Sequence, residues 1–477
     1  MDATTIVIVA ISALTVYYVV YHLGYLVIIG SAAHRMAADL AWPAEIDHAE
    51  IFANPLTPRV SVLVPAHNEE AGIVDSVESL RNLRYPDVQI VVIDDGSTDA
   101  TFPLLEQRYA LRPVQLDMVS PEIPQEGATR GTYRSDDGSV IVIRKESTGR
   151  RADAVNAGLR ISSGELVCMI DADSVLAPDA LLRLAAPFVD DQRVIAAGGS
   201  VLPSNGVTID GGQVTRFDLP RTWIERFQVV EYLRAFLIGR SGWAQVNGLV
   251  VISGAFGLYR RDAILRIGGL ATTSLAEDAD LLMAVHVDAV NRGIPYRVIF
   301  SAEPVCWTEV PRRVRVLGRQ RTRWAHGLGE ILADYRKVIA RPRFGALGML
   351  SMPWTMAFEY LAPVVAVVGT VLTVAALALG LIPISFALLV AAAGLGLSTL
   401  VTITALAVEA AWFRRYGGAR RLLVLLAAAF AEPFFYRPLV FAWQLRGMWR
   451  AHRGAVAEWG EMEHTGSAPA TQGAVLS

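Results

Sequence analysis

From Leu361 to Val408 the chain carries no formally charged side chain, and a stretch of that kind cannot serve as the surface of a water-soluble fold. At about 1.5 Å of helix per residue it could cross a bilayer roughly twice. Gly380-Leu381-Ile382-Pro383 offers the place to turn. A second charge-free run, Ile6 to Gly30, exceeds the ~20 apolar residues that one crossing needs. The residues before it hold Asp2 and no Lys or Arg, so the positive leader of a cleaved signal is missing, although Ser31-Ala32-Ala33 would pass for a cleavage site. An uncleaved anchor over residues 1–35 is expected, with His34 and Arg35 at its cytoplasmic end.

The remainder is not membrane-like. With 53% hydrophobic and 19% charged residues and a mean hydropathy of +0.38, the chain reads as a soluble domain joined to a membrane part. A formal net charge of −3, with no basic run interleaved with aromatics, argues against nucleic acid as a partner. The two cysteines, Cys168 and Cys306, form neither a disulfide framework nor a zinc pattern and read as packing residues on a reducing side.

Residues 36–58, with Pro43, Pro55 and Pro58, read as a linker into a soluble domain over 59–310. There, short β-rich runs alternate with helical periodicity, the pattern of an α/β fold with a mostly parallel sheet. Val60 to Val64 is expected to be a buried strand ended by Pro65, and Ile73, Val74, Val77 and Leu80 give a following helix. Ile90 to Ile93 is the second strand and runs into Asp94-Asp95-Gly96-Ser97-Thr98-Asp99. Carboxylates at the carboxyl end of such a strand lie where open α/β sheets bind ligands. Gly96 permits a tight turn, and Ser97 or Thr98 is expected to cap the next helix.

Pro121 to Ser139 is polar and weakly patterned, a surface insertion to which no chemistry is assigned, ending in a strand at Val140 to Ile143. Gly149-Arg150-Arg151 opens a helix whose cationic side chains and free amides suit a phosphate, or equally a solvated basic helix start. The buried run Leu166 to Ile170 ends in Asp171-Ala172-Asp173, just before Pro178, the expected start of a helix. Carboxylates two apart in extended chain project to one side, where a divalent ion and a nucleotide diphosphate could share them, although short acidic pairs are common in turns.

Arg221 to Arg240 reads as a helix whose aromatics Trp223, Phe227, Tyr232 and Phe236 serve packing, and Ser253 to Arg261 as a small, turn-like stretch that lets backbone approach a ligand. Ala276-Glu277-Asp278-Ala279-Asp280 precedes a helical run, Leu281 to Val290, closed by Gly293. These acids either cap the helix dipole or hold a general base, Asp278, at the mouth of a cleft.

After Trp307-Thr308-Glu309-Val310-Pro311 an amphipathic interface segment, 311–345, contains Arg319-Gln320-Arg321-Thr322-Arg323-Trp324. An amide, a guanidinium fork and an indole at these offsets suit a charged leaving group beside a sugar ring; a basic run before a membrane segment also serves as a topology signal or a headgroup contact. A C-terminal membrane region over 346–447 and a polar tail over 448–477 complete the chain. Its last apolar run, Leu422 to Leu445, holds Glu432 and Arg437, which mark a path for something polar. The arginines beyond it favour a cytoplasmic end, against the crossing count, unless that run is interfacial or re-entrant.

The motifs Val60 to Glu70, Asp94 to Asp99, Asp171 to Asp173, Glu277-Asp278 and Gln320 to Trp324 occur in the order seen in membrane-embedded, processive family 2 glycosyltransferases, and the chain resembles that family, which includes cellulose, chitin, hyaluronan and poly-N-acetylglucosamine synthases. The resemblance implies a glycosyltransferase A-type (Rossmann-like) α/β domain with a transmembrane α-helical part, and inverting transfer from a UDP-sugar. Asp94 and Asp95 would hold the uridine. Asp171 and Asp173 would bind the diphosphate and its Mg²⁺ or Mn²⁺. Asp278 would deprotonate the acceptor, and Arg151, Gln320, Arg323 and Trp324 would contact the donor, with Glu277, Trp307 and Trp324 on the acceptor side. Arg151 departs from the Lys that many relatives carry in a Gly-Lys-Ala run, and Ala276 from a frequent Thr. The stretch from Trp307 to Trp324 looks most like poly-N-acetylglucosamine enzymes, which favours N-acetylglucosamine and a growing polysaccharide exported at the plasma membrane from a cytoplasmic catalytic domain. The implied partners are the UDP-sugar, a glycan or glycolipid acceptor, membrane lipids and an accessory export subunit. The rivals are single-sugar transfer to a membrane lipid, a non-catalytic sugar-nucleotide sensor, and a transporter, which would need more crossings.

Overall fold

A computed structural model describes residues 2–41, 54 and 57–454; Pro43, Pro55 and the tail beyond 454 lie outside the described residues. The chain divides into two compact units. One is built from the described residues of Trp42–Arg221 and Leu249–Pro311, the other from those of Met1–Ala41, Thr222–Gly248 and Arg312–Val456.

The first unit is a sheet covered by helices. Its strands are β1 (Val60–Ala66), β2 (Val88–Asp95), β3 (Arg112–Pro113), β4 (Thr129–Arg134), β5 (Val140–Lys145), β6 (Leu166–Met169), β7 (Val175–Leu176), β8 (Val194–Pro203), β9 (Thr208–Asp210), β10 (Gln213–Arg216), β11 (Gly257–Arg260) and β12 (Arg297–Thr308). All but the β9–β10 pair join one sheet in the order β3-β4-β5-β2-β1-β6-β11-β8-β12-β7. The central strands β5, β2, β1 and β6 are parallel, and their unbroken apolar runs are what strands buried on both faces require. The sheet is mixed rather than mostly parallel, because β4, β11 and β7 each pair antiparallel with their neighbours.

Two local expectations are corrected. Pro65 does not end β1, which continues to Ala66. Its neighbour β6 stops at Met169 opposite Leu63, so from Val64 onward β1 is bonded on one side only, where a proline without an N–H is tolerated. Thr129–Arg134, inside the expected insertion, is a strand on β5; it is largely exposed, which is why its residues show no apolar period. The helix Glu277–Arg292 begins with three acids in its first turn and ends at Gly293 with φ +67°, as the sequence suggests.

The second unit is helical. Thr4–Ala37 and Ile384–Trp412 are long and apolar enough to cross a membrane, and two bent pairs, Leu347–Tyr360 with Ala362–Ala378 (43°) and Ala419–Phe435 with Arg437–His452 (49°), would raise the number to four if each is one span. Gly380, at φ +67°, makes the expected turn before Ile384. The stretch expected as one helix from Arg221 to Arg240 starts with a capping box, Thr222 and Glu225, and widens into a π-helical turn over Leu233–Gly239. From that turn Arg234 makes two 2.9 Å contacts to Glu432 and a 2.8 Å bond to Thr402. Glu432 is 1% exposed and also accepts from Arg437 at 3.3 Å. It closes a buried ion cluster, the pairing that ionisable residues in such a run require, while Arg437 also lines a cavity of the helical unit. Helices Val314–Asp334 and Arg437–His452 pack closely because Gly447 leaves room for the Thr322 carbonyl, which a Cβ would strike.

Candidate active site

The carboxyl ends of β1, β2, β5 and β6 present the acidic motifs. Register places Asp94 beside Ala66 and Arg144, and Asp95 beside Lys145. Asp94 is buried, accepting from the Ser97 N–H at 2.9 Å and from Arg144 Nε at 3.2 Å. Gly96, at φ +68°, turns the chain so tightly that a Cβ would lie 3.0 Å from the Ser147 nitrogen. Asp95 accepts from Lys145 Nζ at 2.6 Å and Ser147 Oγ at 2.9 Å. Lys145 is wholly buried and bridges to Asp153 at 2.8 Å. Burial alone would raise the Asp153 carboxyl; the bond from Lys145 and the N–H groups of Glu126 and Gly127 pull it below its usual range. Neither Ser97 nor Thr98 caps the next helix. Both bond to Asn68, and Asp99 accepts from the Thr101 N–H at 2.9 Å instead.

Asp171 and Asp173 follow β6 in a turn, not in extended chain. Asp171 is held by Arg151 at 2.8 Å, and Asp173 accepts from Thr308 Oγ1 at 3.1 Å. Glu69 faces both. Its carboxyl is pushed up to about 9, first by burial and then by Asp173 and Asp171. So much negative charge in one place fits a divalent cation: two carboxylates with a substrate diphosphate are the usual Mg²⁺ set. No cluster of three or more protein ligands occurs among the described residues, so substrate oxygens would have to complete the shell.

Arg151 ties this corner to the next motif. Its buried guanidinium contacts Asp171, Glu277 Oε1 at 3.3 Å and the Gly254 carbonyl at 2.8 Å. Burial would lower its pKa, but Asp171, Glu277 and Asp278 outweigh that and hold the group firmly charged. The Gly254 N–H in turn donates to Asp278 Oδ2 at 3.1 Å, while Asp278 Oδ1 accepts from the Ala279 N–H at 2.8 Å. The close backbone approach expected at Gly254 is thus to Arg151, whose Nη1 would lie 3.3 Å from a Cβ there.

Trp307 is 7% exposed, packs on Phe217 at 5.6 Å between centroids, and leaves its indole N–H buried without a partner. Asp94, Asp95, Arg151, Asp171, Asp173, Glu277, Asp278 and Trp307 therefore all belong to the sheet unit. Gln320, Arg323 and Trp324 lie on the helix Val314–Asp334 of the helical unit. There Gln320 is buried, and Trp324, 39% exposed, lies under the Arg321 guanidinium at 4.2 Å. Lys145, Glu69 and Thr308 were not singled out from sequence. For Lys145 a signal existed: a basic pair, Arg144-Lys145, at the end of the strand next to the Asp94-Asp95 pair. Cys168 is inert, its thiol pushed up to about 12 by burial.

Strands ending in paired carboxylates, with a buried guanidinium joining them to a third acidic motif, make a set suited to a phosphate-bearing substrate and its cation. The glycosyl transferase family group 2 model matches residues 166–430 and the glycosyl transferase family 2 model residues 61–116. The chain belongs to glycosyl transferase family group 2. Among curated relatives, the probable glycosyltransferase YdaM of Bacillus subtilis is 27% identical over 272 residues, 57% of this chain and 55% of that one. The poly-beta-1,6-N-acetyl-D-glucosamine synthase of Staphylococcus epidermidis is 25% identical over 278 residues, with the same two shares, 57% and 55%. The matched region thus spans little more than half the length of either relative. Among solved structures, the mannosyltransferase PcManGT from Pyrobaculum calidifontis, in complex with GDP-Man and Mn2+, has a TM-score of 0.50 at 20% identity and covers 94% of this chain and 100% of its own. That likeness shows the fold.

Proposed function

We propose that this chain is an inverting, metal-dependent glycosyltransferase that moves a sugar from a UDP-sugar to an acceptor hydroxyl at the cytoplasmic face of a membrane. The observation that carries the reading is the Arg151 hub: one guanidinium joins Asp171 to Glu277 and, through the Gly254 peptide, fixes Asp278. Asp171 and Asp173 would hold Mg²⁺ or Mn²⁺, which when bound neutralises charge on the leaving diphosphate. Asp278 takes the proton of the acceptor hydroxyl as its oxygen bonds to the anomeric carbon. The bond from that carbon to the diphosphate oxygen breaks, and UDP leaves with the electron pair. Asp94 and Asp95, already fixed by Ser97, Arg144 and Lys145, keep lone pairs for the uracil and ribose. The roles of Gln320, Arg323 and Trp324 rest on their sequence motif.

N-acetylglucosamine is the favoured sugar, and a growing polysaccharide the favoured product, by likeness to the staphylococcal synthase. The test is to offer the detergent-purified chain UDP-N-acetylglucosamine and UDP-glucose in turn and to size the products by mass. Metal-dependent UDP release with one donor supports the reading; binding of UDP without turnover of either donor favours the sensor.

A further inference from the structure

The helix Arg151–Ile161 does more than present Arg151. Gly158 sets it hard against the sheet, since a Cβ there would lie 2.9 Å from Ile93 Cδ1 and 3.1 Å from Leu63 Cδ2. Asp153 pairs with Lys145 at 2.8 Å and ties the helix to β5. Asn156 lies about 7.5 Å further along its axis than Arg151, at ~1.5 Å of rise per residue.

Asn156 is wholly buried, and its amide meets a single residue twice. Nδ2 donates to the Leu270 carbonyl at 2.9 Å, and Oδ1 accepts from the Leu270 N–H at 2.9 Å. A carboxamide offers donor and acceptor side by side; an ionised aspartate lacks the donor and leucine lacks both. Gly269, at φ +86°, lets the chain pass so close that a Cβ would lie 2.8 Å from Asn156 Oδ1.

Leu270 opens the segment that leads to Glu277 and Asp278. Ala271 to Ala276 forms neither helix nor strand, and Ala271 and Thr273 are exposed. Midway, Thr272 Oγ1 donates to Glu126 at 2.6 Å in an exposed bond, of the sort that opens most readily. Buried groups hold the two ends, Asn156 at Leu270 and Arg151 at Glu277. Both belong to one helix, so the helix and not the segment sets where those ends stand. That matters for a base, because a displacement of about 1 Å can cost ~10²-fold in rate.

We infer that Asn156 is a positioning residue for sugar transfer: by clamping Leu270 it fixes the approach to Asp278 and so holds that carboxylate where the acceptor hydroxyl must meet it. It acts through Asp278 and not on the substrate. The inference rests on Asp278 as the base in the transferase reading above, and it adds the upstream support that Arg151 alone does not supply.

The experiment uses the full chain in detergent. Asn156→Ala removes the clamp, and Gly269→Ala keeps the asparagine but forces a methyl group against it at a φ that favours glycine. Each is made alone and together with Asp278→Asn, and UDP release is followed over a range of UDP-N-acetylglucosamine and of UDP-glucose concentrations. Each variant alone should lower kcat by about 10–100-fold with the donor KM held within about twofold. In the Asp278→Asn background the same changes should cost less than about twofold more, because a base that is gone cannot be misplaced. If Asn156→Ala fails to fold, Gly269→Ala is read in its place. Losses that multiply in the double variants, kcat and KM that worsen together, or wild-type kcat in both single variants would each overturn the inference. Undiminished release by Asp278→Asn alone would overturn the base reading and the inference with it, an outcome read from that variant and therefore distinct from failure of the clamp.

Discussion

Arg151 and Asp171 form a 2.8 Å ion pair that is closed on one side and open on the other, the guanidinium being 8% exposed and the carboxylate 39%. The pairing holds one face of the carboxylate and leaves the other free for a cation or its hydration shell. One planar fork reaches Asp171, Glu277 and the Gly254 carbonyl together, which a point-charge ammonium would do less completely.

Arg151→Lys should therefore keep part of the activity, with a loss of about tenfold in kcat/KM, whereas Arg151→Met should lose about a hundredfold or more, ~2.7 kcal/mol of transition-state stabilisation. Steady-state UDP release by the two variants checks the ranking.

Lys145 lies between Asp95 and Asp153 with no exposure to solvent. Lys145→Met would strand two buried carboxylates and should destabilise the sheet unit by about 3–5 kcal/mol. Chemical denaturation of the purified chain, followed by tryptophan fluorescence, measures the loss. Donor affinity should fall as well, since Asp95 loses its principal anchor.

His286 is fully buried, its Nε2–H donating to the Leu249 carbonyl at 3.0 Å and its Nδ1 accepting from the Tyr296 hydroxyl at 2.9 Å. Burial lowers its pKa from 6.5 to about 4. Between those values the unfolded chain binds a proton that the native state refuses, so stability falls as pH drops through that window and is unaffected by this group above it. The full effect is about 3 kcal/mol. His286→Gln can keep both hydrogen bonds and should flatten the acid side of a plot of Tm against pH.

The strand cores were legible because residues buried on both faces must be apolar, as in Val60 to Val64 and Ile90 to Ile93. The acidic motifs were legible because they interrupt such runs. Thr129–Arg134 was not, since a largely exposed strand carries no apolar period. Lys145 escaped notice because its meaning depends on the register of β5 beside β2, fifty positions from Asp95 in the chain. The buried cluster of Arg234, Glu432 and Arg437 was half visible: the ionisable residues in an apolar run stood out, but their partner lies in a π-helical turn that periodicity does not announce.

The most direct measurement is UDP release from UDP-N-acetylglucosamine by the wild-type chain and by Asp278→Asn, with Mg²⁺ or Mn²⁺ and after chelation. Asn retains an acceptor for the Gly254 N–H but not a base, so release to the acceptor should fall by ~10²–10⁴-fold while donor binding persists, and chelation should stop wild-type turnover. Undiminished release by Asp278→Asn, or turnover indifferent to metal, would contradict the account.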